Sequence, residues 1–160
     1  MTLNTSTELL SDIVDEAVRH VSRQADRHRL SVECEEELLL VRADARLAVQ
    51  VLVNLLDNAV KYTAPGSSIT VSVRKSGHMA EVQVADGGDG ICDEEKRKIF
   101  DKFYCGSRQI ADNRRSLGLG LYLCRAIVEA HGGKICVTDN EPRGTAFLFS
   151  LPLQEVALYE

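Results

Sequence analysis

The 160-residue sequence lacks the features that mark several large classes of protein. It contains no apolar run near the roughly 20 residues of a membrane-spanning helix and no N-terminal signal-peptide pattern. Its formal net charge of −5 disfavours a protein that binds nucleic acid without sequence preference, since such proteins usually carry a basic face. No internal repeat or low-complexity tract is visible. With 44% hydrophobic and 27% charged residues, the composition predicts a soluble chain that forms one globular domain.

The cysteines and histidines do not form a recognisable site in the sequence. The five cysteines are odd in number, widely spaced and without a C-x-x-C pair, which argues against a disulfide framework and a zinc site and fits a reducing compartment. No histidine lies beside a cysteine or carboxylate cluster that would suggest a metal site or a nucleophile–base pair. The favoured interpretation is ordinary surface histidines, or buried ones with satisfied hydrogen bonds.

Residues 43–62 predict a long helix that is apolar on almost every side, which is typical of a buried helix. Asp44 is its expected N-cap. Gln50, Asn54 and Asn58 recur at four-residue steps and Lys61 follows, so all four share one stripe of this helix. A buried amide without a partner costs about 1–3 kcal/mol. The stripe therefore belongs either to a polar network in the core or to the wall of a ligand pocket, and the helix alone does not decide between them.

Two glycine-rich segments point to close contact with a ligand. Residues 86–91 (DGGDGI) follow a predicted strand, where glycines let the backbone approach a ligand and Asp86 can accept a hydrogen bond from an amino group. Residues 118–121 (GLGL) open a predicted helix whose free N–H groups and dipole favour phosphate. Neither segment matches the Walker A or dinucleotide-binding pattern.

A loop and an N-terminal helix complete the predicted organisation. Residues 93–100 predict a short capped helix. Residues 105–117 are polar and arginine-rich, and a functional lid is favoured there over a simple insertion. Residues 7–28 predict an amphipathic helix with Ser6 or Thr7 as N-cap, which either joins an upstream domain or simply covers the sheet. Strand-like segments in hairpins lie between the helices, at residues 30–34, 38–41, 69–74, 79–85, 134–138 and 145–151. This order predicts an α+β two-layer sandwich, with one mixed sheet and helices on one face.

Five motifs in the right order resemble the ATP-binding catalytic domain of sensor histidine kinases, in the group shared with gyrase and Hsp90-type ATPases. The asparagine box is matched by QVLVNLLDNAVKYT, the first glycine box by DGGDGI, and the phenylalanine box by IFDKFY. The second glycine box is matched by LGLGLYLCRAIVEAHGG and the last glycine–threonine motif by RGTAFLFSLP. Each motif alone is weak, but five together are specific, and the match covers about residues 30–153. Residues 38–63 look similar to the potassium-responsive Kdp-type sensor kinases.

The resemblance implies a Bergerat-type ATP-binding fold with a mobile ATP lid at residues 105–117, and a site for ATP and Mg²⁺. Asn58 would coordinate Mg²⁺, Asn54 would lie beside the phosphates, and Asp86 would accept from the adenine amino group. Asn54 and Lys61 are the implied catalytic residues. The implied nucleotide-binding set is Asn54, Asn58, Lys61, Tyr62, Asp86, Gly88, Gly90, Ile91, Phe100, Lys102, Phe103, Arg108, Gly118, Leu119, Gly120, Leu121 and Thr145.

The resemblance also implies a reaction and partners. The γ-phosphate would pass to a histidine on a separate dimerisation domain, and then to a response regulator. Residues 1–28 would lie at the junction with that domain. No H-E-x-x-x-P-like segment occurs in the chain, so we expect ATP binding without autophosphorylation. The fragment is expected to be a cytoplasmic monomer without membrane or nucleic-acid contact, cut from a homodimer in the bacterial inner membrane.

Asn54 and three departures from the family pattern bear on this interpretation. Gyrase-like ATPases have a glutamate at the position of Asn54, and asparagine cannot take a proton from water, so hydrolysis should be slow. Gly87 replaces the usual asparagine, Cys105 replaces a common arginine, and Ser116-Leu117 replace Gly-Thr. These departures leave open a nucleotide-binding pseudokinase or interaction module. An ATPase or an anti-sigma-type serine kinase on the same scaffold is disfavoured by Asn54 and by the phenylalanine box.

Overall fold

The computed structural model describes residues 1–35, 38–101 and 120–154, and in them a mixed sheet carries helices on one face. The helices are α1 (Leu10–Val21), α2 (Ala45–Lys61), α3 (Asp93–Lys96) and α4 (Gly120–Ala130). The strands are β1 (Ser6–Leu9), β2 (Arg29–Cys34), β3 (Leu40–Ala43), β4 (Ser68–Ser76), β5 (Met79–Asp86), β6 (Ile135–Asp139) and β7 (Thr145–Pro152). The predicted α+β class and two-layer arrangement are confirmed. The predicted lid, residues 105–117, lies outside the described residues.

The main sheet has five strands in the order β2-β4-β5-β7-β6. Strands β2 and β4 run parallel, and the other neighbours are antiparallel. Alternate side chains on β4, β5 and β7 are buried, as expected for a sheet with one covered face. The register aligns these apolar side chains in two rows, Val71-Val84-Phe147-Val137 and Val73-Val82-Phe149-Ile135. Helices α2 and α4 pack over this face.

Helix α2 is the central helix, because it contacts α1, α4 and the sheet. Seven of its side chains are buried, including the fully covered Leu52, Leu55 and Leu56. Each such leucine contributes about 1.5–3 kcal/mol by leaving water. Of the polar stripe, Gln50 is exposed and Asn54 and Asn58 are half-buried. The stripe therefore lies at the edge of the core and is not a buried polar network.

The predicted N-terminal helix is wrong in its first turn. Ser6 and Thr7 do not cap a helix; they lie in β1, which pairs antiparallel with β3. Helix α1 begins at Leu10, whose N–H donates to the carbonyl of Leu39 at 2.9 Å. The helical spacing of apolar residues could not reveal that β3 offers a strand edge to the preceding residues. Five buried side chains of α1 belong to the common core, so α1 is an integral helix of this domain.

His131 ties the end of α4 to the start of α2. Its Nδ1 lies 2.8 Å from the carbonyl oxygen of Ile127, and the N–H of Asp44 donates to its Nε2 at 3.0 Å. Because a carbonyl only accepts, Nδ1 is the ring nitrogen that donates, and Nε2 is the one that accepts. His131 is thus a buried histidine with satisfied hydrogen bonds, one of the two expected kinds.

Among the described helices, none combines the length and apolar character that a bilayer crossing demands.

Asp44 is the N-cap of α2, as its position before the apolar stretch suggests. Its carboxylate accepts from the N–H of Leu47 at 3.4 Å and from the N–H of Asn4 at 3.0 Å. The hydrogen bond from Asn4 is the largest of the effects that hold the pKa of the Asp44 carboxyl below its ordinary value of 3.8. The charged form is therefore the one that stabilises the fold.

We expect Asp44→Ala to lower the free energy of unfolding at neutral pH by about 1 kcal/mol, the usual cost of losing an N-cap. Asp44→Asn keeps a capping oxygen without the charge. Because the folded-state pKa is lowered, the carboxylate's contribution is complete above about pH 4 and is lost as the pH falls through that lowered value. Urea denaturation at a series of acid pH values should show a smaller acid loss for Asp44→Asn than for the parent chain.

The matched control is Asp15→Asn, which removes an exposed carboxylate from α1. This variant should keep the acid loss of the parent. An equal acid loss in the parent and in Asp44→Asn would contradict the stabilising role of the Asp44 charge.

Candidate functional site

A buried carboxylate at the end of β5 forms one end of the candidate site. Asp86 is only 3% exposed. Its Oδ1 accepts from the N–H of Gly88 at 2.9 Å and from the N–H of Thr145 at 3.3 Å. Two backbone donors from different segments hold the carboxylate in one orientation. It is a fixed acceptor for a ligand that carries an N–H group.

The loop after Asp86 lies directly on the C-terminal end of α2. A Cβ added to Gly88 would lie 2.9 Å from Cγ2 of Thr63 and 3.1 Å from the carbonyl oxygen of Tyr62. Only a residue without a side chain permits this approach. The glycine therefore brings the loop of Asp86 next to the residues that directly follow α2.

Thr145 adds a buried hydroxyl beside Asp86. The residue is 1% exposed, and its Oγ1 has no hydrogen-bond partner among residues 1–35, 38–101 and 120–154. A buried polar atom without a partner costs about 1–3 kcal/mol, and a polar ligand in the site would relieve this cost. A carboxylate acceptor, a hydroxyl and close-packed glycines together fit the edge of a heteroaromatic base.

Two contacts between α2 and α4 define the other end of the site. Besides the link through His131, Nδ2 of Asn54 lies 3.7 Å from Sγ of Cys124. The two helices are therefore antiparallel. Asn58 and Gly120 each lie one helical turn beyond these contacts, so they fall at the same level. By this register the N-terminus of α4 lies level with Asn58, and the first N–H groups of a helix have no partner within the helix itself.

The Asn54–Cys124 contact is a packing contact. Cys124 is fully buried, and this burial raises the pKa of its thiol to about 12. The thiol stays protonated at neutral pH and is not a nucleophile. Asn54 is half-buried with its amide nitrogen directed at this sulfur. Asn58 is also half-buried and makes no side-chain hydrogen bond within the described part of the chain.

Other predicted site residues take different places. Nζ of Lys61 lies 3.4 Å from Oδ2 of Asp57 on the preceding turn of α2. Phe100 packs edge-on against Phe147, with ring centroids 6.0 Å apart, so it anchors in the core. Ile91 is 6% exposed and also belongs to the core cluster. Five predicted residues lie outside the described ranges: Lys102, Phe103, Arg108, Gly118 and Leu119.

Sequence reasoning missed two residues that contact this loop. Nδ2 of Asn140 donates to the carbonyl of Asp86 at 2.8 Å, and Nε of Arg143 donates to the carbonyl of Gly88 at 3.0 Å. Both lie in the turn between β6 and β7. Asn and charged residues are common in turns, so nothing in a single sequence distinguishes them from ordinary turn residues.

The described residues contain no group of three or more His, Cys, Asp or Glu side chains that could hold a metal ion. The predicted metal ligand, Asn58, offers one amide oxygen. This donor set fits Mg²⁺ in a nucleotide complex, because that ion is usually held by one or two protein groups together with phosphates and water.

Comparison with known proteins identifies the family. Residues 43–155 match the family described as histidine kinase-, DNA gyrase B-, and HSP90-like ATPase. The chain belongs to this family. As a histidine kinase-like ATPase domain, it is 39% identical over 145 residues to the sensor protein KdpD of Clostridium acetobutylicum, covering 91% of this chain and 16% of KdpD. It is 36% identical over 146 residues to the adaptive-response sensory kinase SasA of Rippkaea orientalis, covering 91% of this chain and 36% of SasA.

The solved structures agree with the family. The catalytic domain of histidine kinase ThkA is 29% identical, with a TM-score of 0.83 that covers 94% of this chain and 98% of that domain. ThkA in complex with the response regulator protein TrrA gives 28% identity and a TM-score of 0.80, covering 94% of this chain and 42% of that one. The ATPase domain thus spans about a sixth of KdpD and about a third of SasA, and nearly the whole of the ThkA catalytic domain.

The close approach of Gly144 to Asp86 can be tested with a matched pair of alanine variants. A Cβ on Gly144, which has a φ of +108°, would lie 1.9 Å from the Asp86 carbonyl oxygen. We expect Gly144→Ala to lower the free energy of unfolding by more than about 2 kcal/mol, because the left-handed backbone alone costs 1–2 kcal/mol for a side chain and the overlap adds to this.

The control for this prediction is Gly87→Ala, since a Cβ at Gly87 meets nothing within 4 Å. Its free energy of unfolding should stay within about 0.5 kcal/mol of the parent. Urea denaturation followed by far-UV circular dichroism measures both variants. Equal stability of the two would contradict the close packing of the two loops.

Proposed function

We propose that this domain binds ATP with Mg²⁺ between α2 and the loop after β5, and donates the γ-phosphate to a histidine on a separate dimerisation domain. The observation that carries the proposal is the pairing of two ends of one site. At one end a fixed carboxylate, Asp86, lies beside the unpartnered hydroxyl of Thr145. At the other end Asn58 lies level with the N-terminus of α4.

The adenine base is assigned to the end formed by Asp86. The carboxylate accepts from the exocyclic amino group, and the Thr145 hydroxyl meets a second polar atom of the base edge. Gly88 and Gly90 line the approach. A Cβ on Gly88 would lie 2.9 Å from Cγ2 of Thr63, and Gly90 has a φ of +82°, a conformation that side chains disfavour. This set of groups favours a base with an N–H donor at the position that faces Asp86.

The phosphates are assigned to the end formed by α2 and α4. The N–H groups of Gly120 and Leu121, with Gly118 and Leu119 before them, bind phosphate oxygens, and the helix dipole of α4 adds to this attraction. The amide oxygen of Asn58 holds Mg²⁺, and Lys61 adds positive charge at the end of the same helix. When bound, Mg²⁺ neutralises the charge that develops during phosphoryl transfer.

The proposed acceptor is a histidine rather than water. Asn54 is assigned the position at which a general base would activate water, and a carboxamide cannot take a proton at neutral pH. Its amide nitrogen also faces the protonated thiol of Cys124. The site therefore retains ATP until another nucleophile arrives.

The names of the relatives support the proposed partners. KdpD and SasA are named as a sensor protein and a sensory kinase, and ThkA has been solved in complex with a response regulator. We infer that this domain works with a dimerisation domain of its own kinase, within a membrane-bound homodimer, and that the phosphate passes to a cognate response regulator. The ATPase domain itself would act as a monomeric unit on the cytoplasmic side.

Isothermal titration calorimetry with ATP and Mg²⁺ should give saturable binding to the isolated domain. Incubation with γ-labelled ATP should leave no stable label on it, because the acceptor histidine lies elsewhere. Addition of a histidine-bearing dimerisation domain from a kinase of this family should then give label on that partner. Stable label on the isolated domain, or an absence of ATP binding, would overturn the proposal.

Asn58→Ala should reduce transfer to that partner by about a hundredfold or more, because it removes the amide oxygen assigned to the metal that stabilises transfer. The matched control is Gln50→Ala, an exposed carboxamide two turns earlier on the same stripe. That variant should transfer at the parental rate. Unchanged transfer in Asn58→Ala would remove Asn58 from the metal role.

A further inference from the structure

We propose that Asn140 and Arg143 are positioning residues that hold residues 86–90 in place and thereby set the preference for an adenine base. The inference rests on the proposed binding of ATP at Asp86. Neither side chain is assigned a direct contact with the nucleotide. Both act through the loop that carries the base-facing carboxylate.

The loop has little means of holding its own shape. Three of its five residues, Gly87, Gly88 and Gly90, are glycines, which lose the most backbone freedom on ordering. Its internal hydrogen bond, from the N–H of Gly88 to Asp86, uses the very carboxylate that must face a ligand. Gly87 contributes no side chain, and a Cβ there would touch nothing. The loop therefore depends on groups from outside.

Asn140 supplies the first of these groups. Its Nδ2 donates to the Asp86 carbonyl at 2.8 Å, while its own N–H donates to the Gly144 carbonyl at 3.0 Å. The second bond closes the turn and fixes the position from which the first is made. Together with the bond from the N–H of Thr145 to Oδ1, the turn thus holds both the backbone and the side chain of Asp86.

Arg143 holds the next residues of the loop with two arms of one guanidinium group. Nε donates to the Gly88 carbonyl at 3.0 Å, and Nη2 lies 2.7 Å from Oδ1 of Asp89. The pair with Asp89 is exposed, with side-chain exposures of 63% and 96%, so it adds little stability by itself. The pair matters for geometry, because the planar guanidinium group contacts two consecutive residues, Gly88 and Asp89, at once. A lysine side chain cannot make both contacts in this way.

Asp139, the residue that precedes the turn, forms an ion pair with Lys96. Nζ of Lys96, on α3, lies 2.7 Å from Oδ1 of Asp139 and 2.9 Å from Oδ1 of Asp93. The turn that carries Asn140 and Arg143 therefore contacts α3 through Asp139 and packs closely against Asp86 at Gly144. These contacts fix where the turn lies beside the glycine-rich loop.

A base-discrimination experiment separates positioning from general stability. ATP carries a 6-amino donor that Asp86 can accept, whereas inosine triphosphate carries a 6-carbonyl that cannot donate. The ratio of the two dissociation constants therefore reports how well the carboxylate is placed. Loss of positioning weakens ATP binding and changes inosine triphosphate binding much less, because the 6-carbonyl of that base cannot donate to Asp86.

Calorimetric titrations with each nucleotide and Mg²⁺ should be made on the parent chain, Asn140→Ala, Arg143→Ala and Arg143→Lys. We expect ATP affinity to fall about fivefold to tenfold in all three, the size of one lost hydrogen bond, and the preference for ATP to shrink by the same factor. The control is Arg74→Ala, which breaks an exposed pair with Glu81 (Nε to Oε1, 2.7 Å) elsewhere on the sheet and should change neither affinity.

The outcomes distinguish this inference from the proposed function. A parent chain that prefers ATP, with variants that keep the same preference, would overturn the positioning role alone. An equal loss of affinity for both nucleotides would show general loop damage and also overturn it, as would an Arg143→Lys variant that behaves like the parent. A parent chain that binds neither nucleotide would overturn the proposed function, and with it this inference. Urea denaturation of each variant verifies that the fold is retained.

Discussion

The packing of α2 on three sides is the constraint on which the rest of the structure depends. Contacts with α1, with α4 and with the sheet cover most of its circumference. Apolar side chains are therefore required on nearly every face, and only one narrow stripe remains for polar ones. The carboxamides of this helix occupy that stripe. Because the same packing positions α4, it also determines which groups lie opposite the stripe.

The two ends of the candidate site depend on different physical constraints. At the phosphate end, the relation of Asn58 to Gly120 is a matter of helical register, maintained by contacts of His131 and Cys124. At the base end, the relation of Asp86 to Thr145 is a matter of close backbone packing, in which Gly144 has no room for a side chain. A packed helix moves only if its side chains repack against their neighbours, whereas a loop can change its backbone conformation gradually. The base end therefore needs the additional hydrogen bonds that the β6–β7 turn provides.

The elements with strong internal signals could be predicted from the sequence. The all-round apolar pattern and the N-cap Asp44 predicted α2 to within a residue at its C-terminal end, and the alternation of residues 145–151 predicted β7. Strand β1 could not be predicted, because Ser6–Leu9 form a strand only by pairing with β3, a long-range contact. The short helix expected at residues 93–100 ends as α3 at Lys96. In the site, the glycines of the motifs, such as Gly88 and Gly144, indicated where backbone segments pack closely. Asn140 and Arg143 could not be predicted, because their tertiary contacts leave no pattern in the neighbouring sequence.

The pairing of β1 with β3 has a structural consequence. Gln154 donates its N–H to the Leu40 carbonyl at 2.9 Å, and Leu153 bridges to Val41, so the last described residues hold the same strand as β1. Strand β3 leads straight into the first turn of α2. Asn58 lies further along that helix, about 21 Å from Asp44 at 1.5 Å per residue. Helix α2 therefore connects the strand at which both ends of the described chain meet to the proposed nucleotide site.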